Sequence, residues 1–186
     1  MIMDKKTKSR LFLLLIFAAC ALPIAASLFV YYVWKPAKFL NHGELMELKP
    51  LPAGSFVDSN GKEVKLQSES KWTLLVLDSG NCDVECRQRL YDVRQVWLAF
   101  ELNKDRLQRV WAVSDDAKPD PNLLKEHQGL QLVRASDALI KFFPQPSVGR
   151  IYLIDDRGNQ VLRYLPKPEP KRMIKDVSRL LLIKKM

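Results

Sequence analysis

The longest feature of the hydrophobic pattern is a run from Leu11 to Trp34 that contains no charged residue. As a helix it would be about 36 Å long, enough to cross a hydrocarbon core of about 30 Å. It ends in Tyr31-Tyr32-Val33-Trp34, and such aromatic residues favour a membrane–water interface. The pattern predicts a transmembrane helix over 11–34, preceded by a short segment, 1–10. A cleaved signal peptide is the alternative, but its apolar core is shorter, about 7 to 15 residues, and ends at a small-residue site. Here apolar residues continue past Cys20, which follows Phe17-Ala18-Ala19 in a faint likeness to a lipoprotein cleavage site. A membrane-buried cysteine is the reading adopted for Cys20.

After this run the pattern changes. Pro36, Pro50 and Pro52 punctuate a stretch that predicts a linker over 35–52, leaving 53–186 as one domain. Asn60-Gly61 sits between short alternating runs and predicts a hairpin turn. Trp72 to Gly80 is a continuous apolar run ended by Ser and Gly, which predicts a buried strand. From Asp83 to Leu102, Val84, Leu90, Val93, Val96, Trp97 and Phe100 recur at helical spacing. Leu107 to Asp116 predicts a second strand, and Pro119 and Pro121 open a short helix reaching Gln128. A brief strand in GLQLVRAS, a short helix in DALIKFF and a hairpin around Arg157-Gly158-Asn159 follow. A last amphipathic helix is predicted over 170–183, with Val177, Leu180, Leu181 and Ile183 towards the core. Strands alternating with helices imply an α/β domain with a parallel core. The closing antiparallel hairpin and helix make the pattern thioredoxin-like.

Charge sets the topology. The chain carries a net charge of +9, and Lys5, Lys6, Lys8 and Arg10 precede the apolar run against one acid, Asp4. Positive flanks stay in the cytoplasm, so the domain is expected on the far side. No Arg- and Ser-rich amphipathic presequence precedes the run, which favours a bacterial inner membrane, with the domain in the periplasm, over a mitochondrial one. A second basic stretch, KPEPKRMIKDVSRLLLIKKM, closes the chain. It has no interleaved aromatics, which argues against nucleic acid as a partner. A solvated basic face is the plain reading, and docking to anionic lipid or an acidic partner is the sharper one.

One constellation carries chemistry. Cys82 and Cys86 stand four apart at the junction of a buried strand and a helix. A helix N-terminus favours an anion, so a thiolate there becomes a nucleophile or a ligand. Asp78, Asp83 and Glu85 disfavour the thiolate, and Arg87 and Arg89 favour it. Three readings stay open. As a redox pair, Cys82 attacks a substrate disulfide and Cys86 resolves the mixed disulfide. As a metal pair, two soft thiolates suit Cu(I). As a structural disulfide, the pair closes a small loop and stabilises little. The Pro-x-x-x-Thr-x-x-Cys context of a peroxidatic cysteine is missing. Trp72, Trp97 and Trp111 are expected to be packing residues, and Asp155-Asp156 to form a turn.

The stretch from Trp72 to Arg94 resembles the Sco/SenC proteins, membrane-anchored thioredoxin-like factors of cytochrome c oxidase assembly. Their strand, Gly-containing turn and Cys-Pro-Asp-Val-Cys motif are matched by Ser79-Gly80-Asn81 and Cys82-Asp83-Val84-Glu85-Cys86, without the proline. Ile151 to Val161, IYLIDDRGNQV, is similar to that family's late strand and turn. The resemblance implies a role in preparing a copper site, with a respiratory oxidase subunit or another periplasmic thiol protein as client. It also implies a copper-ligating histidine, whose place falls on Ser147 in Pro146-Ser147-Val148-Gly149. The cis-proline of thioredoxins falls on Gly149. His42, in the linker, and His127, expected on the surface, do not align with the missing ligand. Thiol–disulfide exchange, Cu(I) carriage and a non-catalytic assembly scaffold are the functions this leaves.

Overall fold

A computed structural model describes residues 5–33, 41–58, 62–64, 71–100 and 105–183. The chain forms two compact units, 1–40 and 41–186. The first contains α1 (Lys5–Val33), in which Phe12–Val30 is long and apolar enough to cross a membrane. Trp34 lies outside the described residues.

The second unit holds a seven-stranded sheet in the order β1-β7-β6-β3-β4-β5-β2. Its strands are β1 (Glu44–Pro50), β2 (Phe56–Val57), β3 (Trp72–Asp78), β4 (Leu107–Val113), β5 (Leu130–Ala135), β6 (Arg150–Ile154) and β7 (Asn159–Tyr164). The helices are α2 (Val84–Ala99), α3 (Pro121–Glu126), α4 (Asp137–Phe142) and α5 (Pro170–Ile183). β3, β4 and β5 run parallel, whereas β6, β7, β1 and β2 are antiparallel to their neighbours. This is the thioredoxin-like α/β arrangement that the element order predicts.

Every residue of β3 and β4 is buried, because both faces of the central strands are covered. On one face Leu74, Val76, Trp111 and Val113 pack with Leu90, Val93 and Val96 of α2 and Met173, Val177 and Leu181 of α5. On the other, Leu75, Leu77, Val110 and Ala112 pack with Leu139, Phe143 and Tyr152. The period-2 alternation of a strand separates these two sets.

Several expectations are corrected. Glu44–Pro50, inside the expected linker, is the edge strand β1, with Glu44 opposite Arg163 and Lys49 opposite Gln160. Only Met46 in it is buried, so the apolar pattern of a strand is missing, and Pro50 is tolerated because it ends an edge strand. Asn60-Gly61 lies outside the described residues, but the arms around it close: Asp58 N–H donates to Lys62 O and Val64 N–H to Phe56 O. Val84, counted in the apolar pattern at helical spacing, is 83% exposed in the first turn of α2. Leu102 and the Ile183 side chain lie outside the described residues. Trp72 and Trp111 are core residues as expected. Asp155 is a turn former, its carboxylate accepting from the backbone N–H of Arg157 and Asn159.

Candidate functional site

The site is built at the C-terminal end of β3. The chain leaves the sheet at Asp78, crosses Ser79–Asn81, and enters α2 after Asp83. Asp83 is the N-cap, and its side chain accepts from the Cys86 N–H at 2.8 Å. This places Cys82 just before the helix and Cys86 in its first turn. The two form a disulfide with a Cα–Cα distance of 5.2 Å. Cys82 is half-buried and Cys86 is 1% exposed. The i, i+4 spacing therefore brings the predicted pair together, with one sulfur on the accessible side and one inside.

The turn before Cys82 is held from the neighbouring β4 loop. Asp115 accepts from Gly80 N–H at 2.9 Å and from Ala117 N–H at 3.2 Å, and Ser114 N–H donates to Asp78 O. Burial pushes the Asp115 carboxyl up, but hydrogen bonds from Ser79, Gly80 and Ala117 outweigh it and hold it below its ordinary value. A Cβ on Gly80 would lie 1.9 Å from Ala117 O, so only glycine allows this approach. A cavity of about 440 Å³ opens beside the turn, lined by Gly80, Asn81, Cys82, Arg87, Lys118 and Pro119.

A buried ion pair joins the end of β3 to α2. Arg89 Nε and Nη2 both reach Asp78 Oδ2, at 2.7 Å each. Burial pushes the Asp78 carboxyl above its ordinary value, against the opposing pull of Arg89. The sequence carried a signal for this pair. Arg89 falls on the same helical stripe as Cys86, Leu90 and Val93, and Asp78 ends an otherwise apolar strand.

The positions given by the resemblance are also placed. Ser147 is buried, its carbonyl accepting from Tyr152 O–H at 2.8 Å. Gly149 N–H donates to Leu77 O, which ties this loop to the end of β3. Its φ of 73° is one that proline cannot adopt, and the cis peptide in this loop is Gln145–Pro146. His42 is not in a free linker: its N–H donates to Asp176 on α5, and its ring contacts Arg172. His127 is not on the surface either. It caps the C-terminus of α3 and is 5% exposed. Among the described residues no group of three or more His, Cys, Asp or Glu is placed to hold a metal ion.

With this geometry in view, comparison with known proteins decides the family. A family model described as the transmembrane-like, thioredoxin-like, C-terminal domain matches residues 72–184. The chain belongs to this family. The match begins at β3 and takes in the cysteine pair. Solved structures share the fold at low identity. Apo Sco1 from Thermus thermophilus is 17% identical with a TM-score of 0.61, covering 77% of this chain and 99% of that one. A thiol:disulfide interchange protein from Bacteroides sp. is 19% identical with a TM-score of 0.51, covering 73% and 90%. Arabidopsis thaliana ScoI with copper bound is 18% identical with a TM-score of 0.51, covering 74% and 96%. Among curated proteins, none matches the sequence.

Proposed function

We propose that this protein is a membrane-anchored thiol–disulfide factor that reduces client cysteines on the non-cytoplasmic side of a bacterial inner membrane. The observation that carries the reading is the asymmetric pair: half-buried Cys82 beside an open cavity, and buried Cys86 within bonding distance. In the exchange, the Cys82 thiolate attacks a client disulfide, forming a mixed disulfide and releasing one client thiolate. The Cys86 thiolate then attacks Cys82 Sγ, closing the Cys82–Cys86 bond and releasing the second client thiolate. The client gains two electrons and the pair loses them. A dithiol donor must return the pair to the reduced state.

The basic residues ahead of Phe12–Val30 support a cytoplasmic N-terminus. The likeness to Sco proteins supports a client in respiratory oxidase assembly, such as a copper site whose cysteines must be reduced before loading. Cu(I) carriage by the same two sulfurs is the second reading, favoured by the copper-bound Arabidopsis neighbour. If the Cys82→Ser, Cys86→Ser double variant retains full function, the protein is a scaffold instead.

The test equilibrates the full chain, carrying Cys20→Ser, in thiol redox buffers. A reversible two-electron couple nearer the thioredoxin value of about −270 mV than the strongly oxidising −120 mV or so is expected. An oxidising potential, or no reversible couple, would falsify the reductant reading. A Cu(I) titration against a competing chelator separates carriage from exchange.

A further inference from the structure

Among the described residues of α5, every exposed one is a cation: Lys171, Arg172, Lys175 and Arg179. With 3.6 residues per turn these four fall within an arc of about 100°. Met173, Val177 and Leu181, on the other side of the helix, enter the core. The helix has one acid, Asp176, and it is 2% exposed. Its carboxylate is turned inward, accepting the backbone N–H groups of His42 at 2.8 Å and Gly43 at 2.9 Å.

Those two hydrogen bonds fix where the chain from the apolar helix joins the domain. Val33 and His42 are nine residues apart, a stretch that reaches about 32 Å at full extension. The side of α5 beside His42 is therefore tethered within that distance of the end of α1, whatever path the intervening chain takes. The His42 ring contacts Arg172. Leu165, 68% exposed in the turn before α5, shares a cavity of about 300 Å³ with His42, Lys167 and Arg172. Exposed apolar side chains set among cations are the make-up of a surface that meets lipid headgroups. Glu169 pairs with Arg172 at 2.6 Å, and Glu85 with Lys167 at 3.3 Å. Among the described residues no acid pairs with Lys171 or Lys175.

We propose that this face, formed by Lys171, Arg172, Lys175 and Arg179 with Leu165 and Lys167, docks on the anionic lipid surface of the bilayer in which Phe12–Val30 inserts. Lipid phosphates supply the negative charge that the face lacks. Each cation near such a surface raises the docked-to-free ratio about fivefold. The tether makes the encounter intramolecular, so this modest attraction is enough. Lys167 reaches Glu85 in the first turn of α2, so the patch adjoins the helix end that carries the cysteine pair. Docking holds that end of the domain close to the bilayer. The proposal rests on the membrane-anchored part of the reading above and not on thiol exchange.

The test reconstitutes the full chain, carrying Cys20→Ser and with the Cys82–Cys86 bond intact, into vesicles containing a headgroup spin-labelled lipid. A fluorophore is placed through Ser178→Cys, beside the basic arc of α5, or through Lys141→Cys, exposed on α4 across the sheet. In phosphatidylcholine with about 30% phosphatidylglycerol the α5 probe should be quenched more than in phosphatidylcholine alone, and the α4 probe equally in both. Raising salt to about 0.5 M, where the screening length falls to about 4 Å, should remove the difference. Lys171→Gln with Lys175→Gln, both at exposed positions, should lower the docked-to-free ratio about 25-fold and abolish the extra quenching. Equal quenching of the α5 probe in the two lipid compositions, or extra quenching that survives the double substitution, overturns the docking while leaving the anchor standing. Failure of the chain to float with the vesicles overturns the anchor, and the docking with it. Neither result touches the cysteine chemistry, which the redox titration tests separately.

Discussion

Replacing Arg89 by methionine isolates the buried charge of Asp78 at the end of β3. Methionine keeps much of the side-chain volume but removes the Nε hydrogen bond and the Nη2 ion-pair contact to Asp78 Oδ2, and with them the positive charge. The side chains of the pair are 6% and 8% exposed, so water cannot take the place of the lost partner. Breaking such a pair from one side costs about 3–5 kcal/mol. That is a large part of the roughly 5–15 kcal/mol that holds a domain together. The cost must also depend on pH. Burial already raises the Asp78 carboxyl, and without Arg89 the opposing pull disappears, so its folded value climbs further. A raised carboxyl favours folding fully below its unfolded value of about 3.9, and that favour is lost as pH rises through the folded value. Arg89→Met should therefore be most damaging at pH 7.5 and less so at pH 4.5. Urea unfolding followed by tryptophan fluorescence at both pH values measures this. Asp78→Asn in the same chain should recover part of the loss at pH 7.5, because no charge is then left alone. A cost below about 1 kcal/mol, or the same cost at both pH values, would refute the reasoning.

Gly80→Ala should destabilise by about 1–3 kcal/mol, the range of overpacking, and shift the Cys82–Cys86 potential, because the new Cβ meets the Ala117 backbone and the turn carrying Cys82 must move; urea unfolding and redox titration check it. His127, depressed by burial and by Arg109 and Arg94, should make the domain lose stability as pH falls from 7.5 through its folded value, at about 1.4 kcal/mol per unit of depression. His127→Gln should flatten that component in paired urea melts.

The order of elements was legible because its signals were long or strongly periodic. β3 is an unbroken apolar run, and the β6–β7 hairpin is marked by Asp155 and Gly158. β1 was not legible, because an edge strand with one buried residue has no pattern distinct from a linker. The pairing of Cys82 with Cys86 followed from spacing and position alone. The surroundings of the pair did not. Asp115 is 33 residues from Cys82, and only the parallel pairing of β3 with β4 brings its carboxylate under Gly80. His127 was misjudged because a polar residue ending a short helix looks solvated until the core beneath it, Arg109 included, is known.

The structure also resolves the mixed charges around the cysteines. Three nearby cations are already engaged: Arg89 with Asp78, Arg87 with Asp120 at 3.6 Å, and Lys167 with Glu85 at 3.3 Å. Apart from Lys118, which lines the cavity beside Cys82, what remains to stabilise a Cys82 thiolate is the N-terminus of α2, and Asp83 occupies it, its carboxylate accepting the Cys86 N–H. Glu85 adds a second acid in the first turn. A helix end that already holds a carboxylate offers less to a thiolate. Strong dithiol oxidants work because their reduced form is stabilised, so a pair deprived of that stabilisation keeps its disulfide more firmly and gives up electrons more readily. The residue that replaces proline in the Cys-Pro-Asp-Val-Cys pattern is thus the one that argues for a reductant. The same electrostatics bear on metal binding, since two thiolates must ionise before they can hold Cu(I).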